Sequence, residues 1–408
     1  MELYVLDTNF NAVAIIDDYR SLIWAKRYAQ FGDCELYVRA CEEYSQILQK
    51  GYYLLRNDDD MICRIESIEL DTSTEEGDFH IATGKDCRSI LNQRVIWQQT
   101  NFTGTVENYI RKLITDNIIN PVKETRRIDN FILGTFANLR DRISEQVTYS
   151  QLGEKIVELC NAYQYGTRIR MDDFNRLVFE VYKGEDRSYN QDVNDHVVFS
   201  PDFDNVISSK YITDNSNIKN VALVAGEGEG VDRKRLVCGT AEGLDRYELY
   251  VDARDVSSQV EEGETIDYAE MLKTRGIEAL AEYGTTVSFE GEVEPNHSYK
   301  YGTDYFLGDI VQVVNIYGIS ARARITEVIE TFDENGYSII PTFEYQLDVI
   351  SESQKDDFVT EEDVEGKPDS GSDSGDEGGS GSDDEGGTTT EEYDYITNAD
   401  IDAVFDSL

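Results

Sequence analysis

The chain has 408 residues, and 82 acidic side chains against 37 Lys and Arg give it a formal net charge of −45 at pH 7. This length is sufficient for two or three domains that each bury a core. The charge excludes sequence-specific nucleic-acid binding, because contact with a phosphate backbone requires a surplus of Lys and Arg on at least one face.

Cysteine usage and hydropathy restrict the environment of the protein. The six cysteines show no CxxC spacing, and the opening run MELYVLDTNF lacks a secretory apolar segment. Both features predict a chain that is made in a reducing cytosol. No apolar run approaches the ~18 residues that a membrane span needs, so we expect no membrane anchor.

Residues 1–100 are predicted to be rich in strands, and we interpret them as a first β-barrel domain. The run GYYLLRNDDDMICRIESIELDTSTEEGDFHIATGKD (51–86) has the alternation and polar turns of a three-stranded meander. Before it, the predicted elements are hairpin strands at 3–7 and 12–17, strands at Ser21–Tyr28 and Cys34–Arg39, and a short helix at Glu43–Leu48.

Residues 101–195 are predicted to form a helical insertion with a β-hairpin. One helix begins after Thr105 as N-cap and ends before Pro121, and a second follows Ser150. Their apolar stripes have helical spacing and are interpreted as core: Val106, Tyr109, Ile110, Leu113, Ile114 and Ile118 in the first, and Leu152, Ile156, Leu159, Cys160 and Tyr163 in the second. The hairpin turns at Asp172–Asn175.

Residues 196–350 are predicted to contain connecting strands, a helix at Tyr268–Tyr283 and a second β-barrel domain. The barrel prediction depends on the run YFLGDIVQVVNIYGISARARITEVIETFDENGYSIIPTFE (305–344), which has the pattern of another three-stranded meander. The expected fold class is therefore strand-rich α+β, with two related barrels separated by helical and mixed insertions.

The two meanders resemble each other in detail. The matched positions are Tyr53–Leu55 with Tyr305–Leu307, Arg64-Ile65 with Arg324-Ile325, Ile68 with Val328, and Gly77 with Gly336. The match requires a gap of one residue before the glycine. Two interpretations remain open: an internal repeat, or the general similarity of any two meanders.

The end of the chain has a different composition. Residues 351–392 are dominated by Gly, Ser, Asp and Glu, which predicts a disordered acidic linker. Residues 393–408 regain apolar side chains at Ile396, Ile401, Val404 and Phe405, and we predict a short amphipathic docking peptide that packs in a groove of another protein. The alternative is a frayed terminus.

Patterns that would carry chemistry are weak. The glycines of VALVAGEGEGVDRKR (221–235) do not have dinucleotide-binding spacing and precede no predicted helix, so a loop between strands is favoured. His80, His196 and His297 are far apart and are expected at the surface or half buried. Asp58, Asp59 and Asp60 are expected in a solvated turn. We therefore predict no catalytic residue, no cofactor and no metal.

Several runs together resemble a known family. These are FSPDFDNVISSKYITDNSNIKNVALVAGEGEG (199–230), DRYELYVDARDV (245–256), LKTRGIEALAEY, YFLGDIVQVVN, GKDCRSILNQRVIW and FTGTVENYIRKLI. They look like the siphophage ReqiPepy-type, gene-product-thirty-seven-like tail structural proteins, over nearly all of residues 1–350. More distantly, the order of elements resembles phage baseplate hub proteins. The acidic tail lies outside the resemblance.

The resemblance implies a non-enzymatic hub of the tail tip, located in the virion tail and made in the bacterial host cytoplasm. It implies a homotrimer whose six barrels surround the tail axis, between a tail tube or distal tail protein and a spike or fibre. Val311–Ile316 and Ile62–Leu70 are expected to be exposed and to supply contacts between barrels, and the loop 226–235 to face a neighbour or the lumen. Two alternatives are a tail-associated peptidoglycan hydrolase and a host-binding, carbohydrate-recognising tip protein.

Overall fold

The computed structural model describes residues 1–346, except 74–76, 204, 207–209, 259–266, 285, 291–292, 294–298, 316 and 318–319. All of the described residues belong to one unit, Met1–Glu365. The predicted linker 351–392 and the predicted docking peptide 393–408 lie outside the described residues. The predicted domain boundaries at 100, 195 and 350 stay a prediction.

The described residues form a strand-rich α+β fold, as the sequence predicts. Its first strands and helix are β1 (Leu3–Leu6), β2 (Ala12–Ile16), β3 (Ser21–Arg27), β4 (Asp33–Arg39), α1 (Glu42–Ile47), β5 (Tyr53–Arg56), β6 (Ile62–Ser73) and β7 (Gly77–Asp86). The insertion contains β8 (Thr100–Thr105), α2 (Val106–Ile114), β9 (Phe131–Leu133), β10 (Arg142–Val147), α3 (Leu152–Tyr163), β11 (Gly166–Met171) and β12 (Leu177–Tyr182).

The remaining elements are β13 (Val198–Phe199), β14 (Lys210–Asp214), β15 (Val221–Ala225), β16 (Arg235–Cys238), β17 (Glu248–Asp252), α4 (Tyr268–Ala281), β18 (Thr286–Glu290), β19 (Ile310–Val314), β20 (Ser320–Asp333) and β21 (Gly336–Gln346). They include a second set of strands of the large sheet, and β15, β16 and β17 form a separate three-stranded sheet. None of the helices in the described part of the chain has the length and apolar content that a membrane span requires.

One large sheet connects the two ends of this unit. Its strands follow the order β14-β18-β21-β20-β3-β4-β7-β6-β5-β1-β2, and β19 joins it through β20, with β13 on the far side of β19. Within the described residues this is an open sheet. The two closed barrels that the sequence predicts are not formed by hydrogen bonds among these residues, because β3 of the first half pairs with β20 of the second.

The helical insertion packs as the sequence predicts. Thr105 caps α2 by accepting a hydrogen bond from the Asn108 amide at 3.4 Å, and the predicted apolar stripe of α2 is fully buried. Each such side chain contributes roughly 1.5–3 kcal/mol by leaving water. The stripe of α3 is also buried except for Tyr163, which is partly buried against the same core. This core supports β8–β12 beside the large sheet.

Candidate functional site

The two meanders have the same hydrogen-bond register. Arg64 of β6 pairs with Tyr53 of β5, and Arg324 of β20 pairs with Ile310 of β19. In each long strand a β-bulge follows the next residue, between Ile65 and Ser67 and between Ile325 and Glu327. A bulge bends its strand, so one half of β6 or β20 pairs with the preceding strand while the other half turns away from it.

The beginning of each meander is set by a glycine. The Gly51 amide donates to the Ile65 carbonyl and the Gly308 amide donates to the Ile325 carbonyl, both at 2.8 Å. Their φ angles are +86° and +95°, a conformation that glycine adopts without strain. The sequence match of Tyr53–Leu55 with Tyr305–Leu307 is therefore wrong in position, because Tyr305 precedes Gly308 whereas Tyr53 follows Gly51.

The half of β20 beyond its bulge forms the junction between the two meanders. It pairs antiparallel with β3, from Glu327 opposite Arg27 to Asp333 opposite Ser21. The Arg27 guanidinium contacts the Glu327 carboxylate at 2.6 Å across the two strands. Trp24 lies opposite Glu330, and both are buried. The junction thus combines strand pairing with desolvated polar contacts.

A buried ion network is centred on Glu330. Lys26 Nζ lies 3.0 Å from Glu330 Oε2, and Arg56 Nη1 lies 3.1 Å from the same atom. Lys26 also pairs with Asp59, and Arg56 Nε pairs with Asp58 at 2.9 Å. Buried ions persist only where they are paired and hydrogen-bonded. The network therefore ties three segments of the first half to β20.

The environment of this network shifts the pKa of its members. Burial alone would lower the pKa of Lys26, but the Tyr301 phenol, Asp59 and Glu330 raise it well above its ordinary value. Burial raises the pKa of Tyr301 to about 12. The Lys26 ammonium lies 4.5 Å from the centre of the Tyr301 ring, a cation–π contact. These neighbours therefore favour the charged form of Lys26 at the junction.

A cleft of about 1090 Å³ opens beside the junction and is lined by charged residues. Arg88 fixes one of its walls: Nη2 contacts Asp86 at 2.7 Å and the Arg27 carbonyl at 2.8 Å, while Nη1 donates to the Thr167 carbonyl at 2.9 Å. The inserted hairpin β11–β12 is thereby attached to β3. Three of the cations that line the cleft, Lys26, Arg56 and Arg88, are engaged by carboxylates or carbonyls, and these contacts hold separate segments together.

Several polar residues lie in surroundings that differ from those expected from sequence. Asp59 is not in a solvated turn, because its carboxylate is buried against Lys26, while Asp58 pairs with Arg56. His80 is buried and contacts Ser45 Oγ at 2.8 Å, whereas His196 is exposed and His297 lies outside the described residues. Sequence analysis missed Lys26, Arg56 and Glu330. The signal that could have identified these three residues was the presence of a charged side chain within an otherwise apolar strand.

The expected contact strands are only partly exposed. Val311 and Val313 are buried because they pack in a hydrophobic core with Ile325 and Phe343, so this expectation is wrong for these residues. Ile62 is buried as well. The half of β6 beyond its bulge is exposed, and Leu70 is 58% accessible. The surface available for contacts is therefore this half-strand.

The glycine-rich loop between β15 and β16 is a hairpin loop, as predicted. The Gly226 amide donates to the Lys234 carbonyl and the Lys234 amide donates to the Glu227 carbonyl, both at 2.8 Å. Arg233 Nη2 reaches the Ala225 carbonyl at 2.8 Å and Asp252 at 2.7 Å. These bonds close the loop on itself, and a short 3₁₀ turn begins at its last glycine, over Gly230–Asp232.

The predicted partner-binding residues Ile396, Ile401, Val404 and Phe405 lie outside the described residues. Among the residues that are described, no group of three or more His, Cys, Asp or Glu side chains is arranged to hold a metal ion. What the described residues bring together is a junction between two register-matched meanders, with an exposed half-strand of β6 in the first half and the exposed strand β14 in the second.

Comparisons with known proteins agree with this architecture. A family model described as Siphovirus ReqiPepy6 Gp37-like protein matches residues 2–343. Among solved structures, a tail protein from Neisseria meningitidis MC58 is similar at 13% identity and a TM-score of 0.53, over 84% of this chain and 96% of that one. A prophage MuSo2 43 kDa tail protein from Shewanella oneidensis is similar at 12% identity and 0.52, over 84% and 98%.

A third structure is prophage tail protein gp18 from Listeria monocytogenes EGD-e, with 12% identity and a TM-score of 0.50, over 85% of this chain and 95% of that one. At these identities the structural similarity concerns the fold. Comparison with curated proteins finds no match.

Proposed function

Because the chain belongs to the Siphovirus ReqiPepy6 Gp37-like family of phage tail proteins, we propose that it is a structural hub of the tail tip or baseplate. Three copies surround the tail axis and join the tail tube or distal tail protein to a spike or fibre. The protein has no catalytic role. It acts by assembly, and it enters the virion after synthesis in the cytoplasm of the bacterial host.

The observation that supports this proposal most directly is the register match between the meanders. Two similar halves in one chain allow three chains to present six similar surfaces, while sequence differences between the halves repeat three times. Such a ring can face a sixfold tube on one side and a threefold tip on the other. The two barrel domains expected from sequence would then be completed in the assembled particle.

The acidic body fits a position around a channel for DNA. Like charges repel the phosphate backbone, so a negative wall lets DNA pass without being held. The C-terminal peptide, with Ile396, Ile401, Val404 and Phe405, recruits a further tail component through its apolar face. The acidic linker 351–392 gives this peptide its reach.

The test of the proposal is the position and number of copies in the particle. Antibody-labelled electron microscopy is expected to place the chain at the end of the tail away from the head, and quantitative mass spectrometry is expected to find three copies per tail. Labelling along the tail shaft or on the capsid would contradict the proposed position. Six copies per tail would contradict the trimer of two-meander chains.

A further inference from the structure

Two exposed edge segments of the large sheet, strand β14 and the Ser67–Ser73 half of β6, are equivalent to the two strands joined inside the chain. The strand order β5-β6-β7-β4-β3 of the first half recurs as β19-β20-β21-β18-β14 in the second, with antiparallel pairing throughout. By this equivalence β14 occupies the place of β3, and β6 occupies the place of β20. Inside the chain, β3 pairs with β20.

In the described part of the chain, β14 and the Ser67–Ser73 half of β6 each lack a second strand partner. There, β14 pairs only with β18, and β6 beyond its bulge pairs only with β7. Long unpaired edges invite pairing with another chain, and native proteins cover or block them. We infer that β14 of one chain pairs antiparallel with the Ser67–Ser73 half of β6 in a second copy of this chain, repeating the internal β3–β20 junction.

The internal junction fixes the register of this contact. Strand β20 from Arg324 to Asp333 corresponds residue by residue to β6 from Arg64 to Ser73, because both bulges and both pairings coincide. Trp24 and Tyr211 correspond through their partners Cys34 and Phe289. The resulting pairs are Ser67 with Asp214, Ile68 with Thr213, Glu69 with Ile212, Leu70 with Tyr211, and Asp71 with Lys210.

The side chains that this register brings together are complementary. Leu70 and Tyr211 are 58% and 38% exposed, and they would cover each other at the position that Glu330 and Trp24 occupy inside the chain. Asp71 lies opposite Lys210, a cross-strand pair of opposite charges that stabilises a sheet. In addition, the Asn215 amide meets the Glu66 carbonyl, just as the Tyr28 amide donates to Thr326 at 2.8 Å.

This contact is head to tail, because each copy gives one edge and receives the other. Such heterologous contacts form a closed ring where the rotation between copies permits it. The inference rests on the proposed ring assembly and specifies which strands hold the ring together. It also explains why the described part of one chain has an open sheet: the edges close between copies.

The first experiment measures the solution mass of the full chain and of two variants, Leu70→Lys and Tyr211→Asp, by light scattering after size exclusion. The wild type is expected at three times the chain mass of 46.4 kDa, and each variant at the monomer mass. A mixture of the two variants is expected to associate again, because the Tyr211 edge of the first and the Leu70 edge of the second are intact, and because Leu70→Lys faces Tyr211→Asp as a pair of opposite charges.

Matched controls are Leu244→Lys and Tyr149→Asp, which change side chains that are 97% and 79% exposed outside these edges. Both are expected to keep the wild-type mass. Because the substituted positions are all exposed, every variant is expected to fold. Urea unfolding of each variant checks this.

The second experiment uses a disulfide. Leu70→Cys and Tyr211→Cys are combined in a Cys41→Ser background, because Cys41 is exposed and the other five cysteines are buried. Directly opposed strand positions have Cα atoms about 4.5–5.5 Å apart, within the range that a disulfide spans. Oxidation is expected to give covalent dimers and trimers.

The control combines Leu70→Cys with Ile212→Cys. The side chain at position 212 lies on the opposite face of the strand from position 211, so this variant is expected to stay unlinked.

The outcomes separate this inference from the proposed function. The wild type could be a trimer that stays a trimer in both Leu70→Lys and Tyr211→Asp. This result would overturn the edge pairing, and the proposed ring would still be supported. A wild-type monomer whose paired-cysteine variant links into trimers would support the pairing as a weak contact. A monomer at every concentration without linked species would overturn the pairing, while the location and copy number in particles would still decide the proposed function.

Discussion

Lys26 Nζ of β3 lies 3.0 Å from Glu330 Oε2 of β20, and this ion pair joins the first half of the chain to the second. Both side chains are largely withdrawn from water, with accessibilities of 13% and 5%. Arg56 reaches the same carboxylate. Glu330 is therefore the shared anion of two cations that come from separate strands.

Removing the charge of Glu330 is expected to destabilise the fold. Glu330→Gln leaves Lys26 with Asp59 and Arg56 with Asp58, so each buried cation loses one of its partners. Breaking a buried ion pair from one side costs about 3 kcal/mol or more in the free energy of unfolding, and urea unfolding measures this loss. The control Glu124→Gln removes an exposed ion pair with Arg127 and is expected to have little effect. Equal midpoints for the two variants would contradict the role of the network.

A second buried network is expected to make stability depend on pH. Glu278 and Glu145 both pair with Lys155, and Tyr109, Glu158 and Arg275 surround them. Burial, followed by the neighbouring Glu145, raises the pKa of Glu278 well above 4.5. The folded state therefore binds a proton that the unfolded state releases, so this group lowers stability as pH rises above 4.5 toward the raised pKa.

Glu278→Gln removes this ionisation while retaining the shape of the side chain. Its free energy of unfolding is expected to fall less steeply with rising pH than that of the wild type, once the pH exceeds the ordinary glutamate pKa of 4.5. Urea unfolding at several pH values measures both slopes. Parallel curves would show that Glu278 has the same protonation in the folded and unfolded states.

The glycines that begin the two meanders are expected to differ in tolerance. Gly51→Ala places a methyl group 3.7 Å from the nearest atom, Arg64 Nη2, so only the positive φ is penalised, at roughly 1–2 kcal/mol. In Gly308→Ala the methyl group overlaps the Tyr28 ring as well. Gly308→Ala is therefore expected to have the lower unfolding midpoint in urea. The reverse order would show that the Tyr28 ring moves aside.

The C-terminal peptide is expected to act in recruitment and not in folding. Deletion of 393–408 is expected to leave the unfolding midpoint unchanged and to abolish the capture of one tail or baseplate component. Ile401→Asp with Phe405→Asp is expected to have the same effect, because charge prevents packing in an apolar groove. Asp400→Asn with Asp402→Asn serves as the control that keeps the apolar face. Particles of unchanged composition after the deletion would reject this role.

Local patterns in the sequence predicted most elements. Alternation predicted β3, β4 and the two meanders, and the helical spacing after Thr105 and Ser150 predicted α2 and α3. These signals are local, since a helix or strand that buries one face must repeat apolar residues at its own period. The equivalence of Arg64-Ile65 with Arg324-Ile325 was also visible, because the bulge that follows each pair preserves the pattern on both sides.

The sequence by itself therefore determined most of the elements, the family resemblance and the existence of two similar meanders, but not β8, β9 and β10 of the insertion. The tertiary structure alone decided that β3 pairs with β20, that Lys26, Arg56 and Glu330 meet there, and that the equivalent segments, β14 and Ser67–Ser73, lack a second strand partner among the described residues. Pairing between residues some 300 positions apart depends on edge geometry and on the burial of charges from separate strands. No periodicity within a single segment encodes the edge geometry or the meeting of these charges. The β3–β20 junction could therefore be recognised only from the tertiary structure.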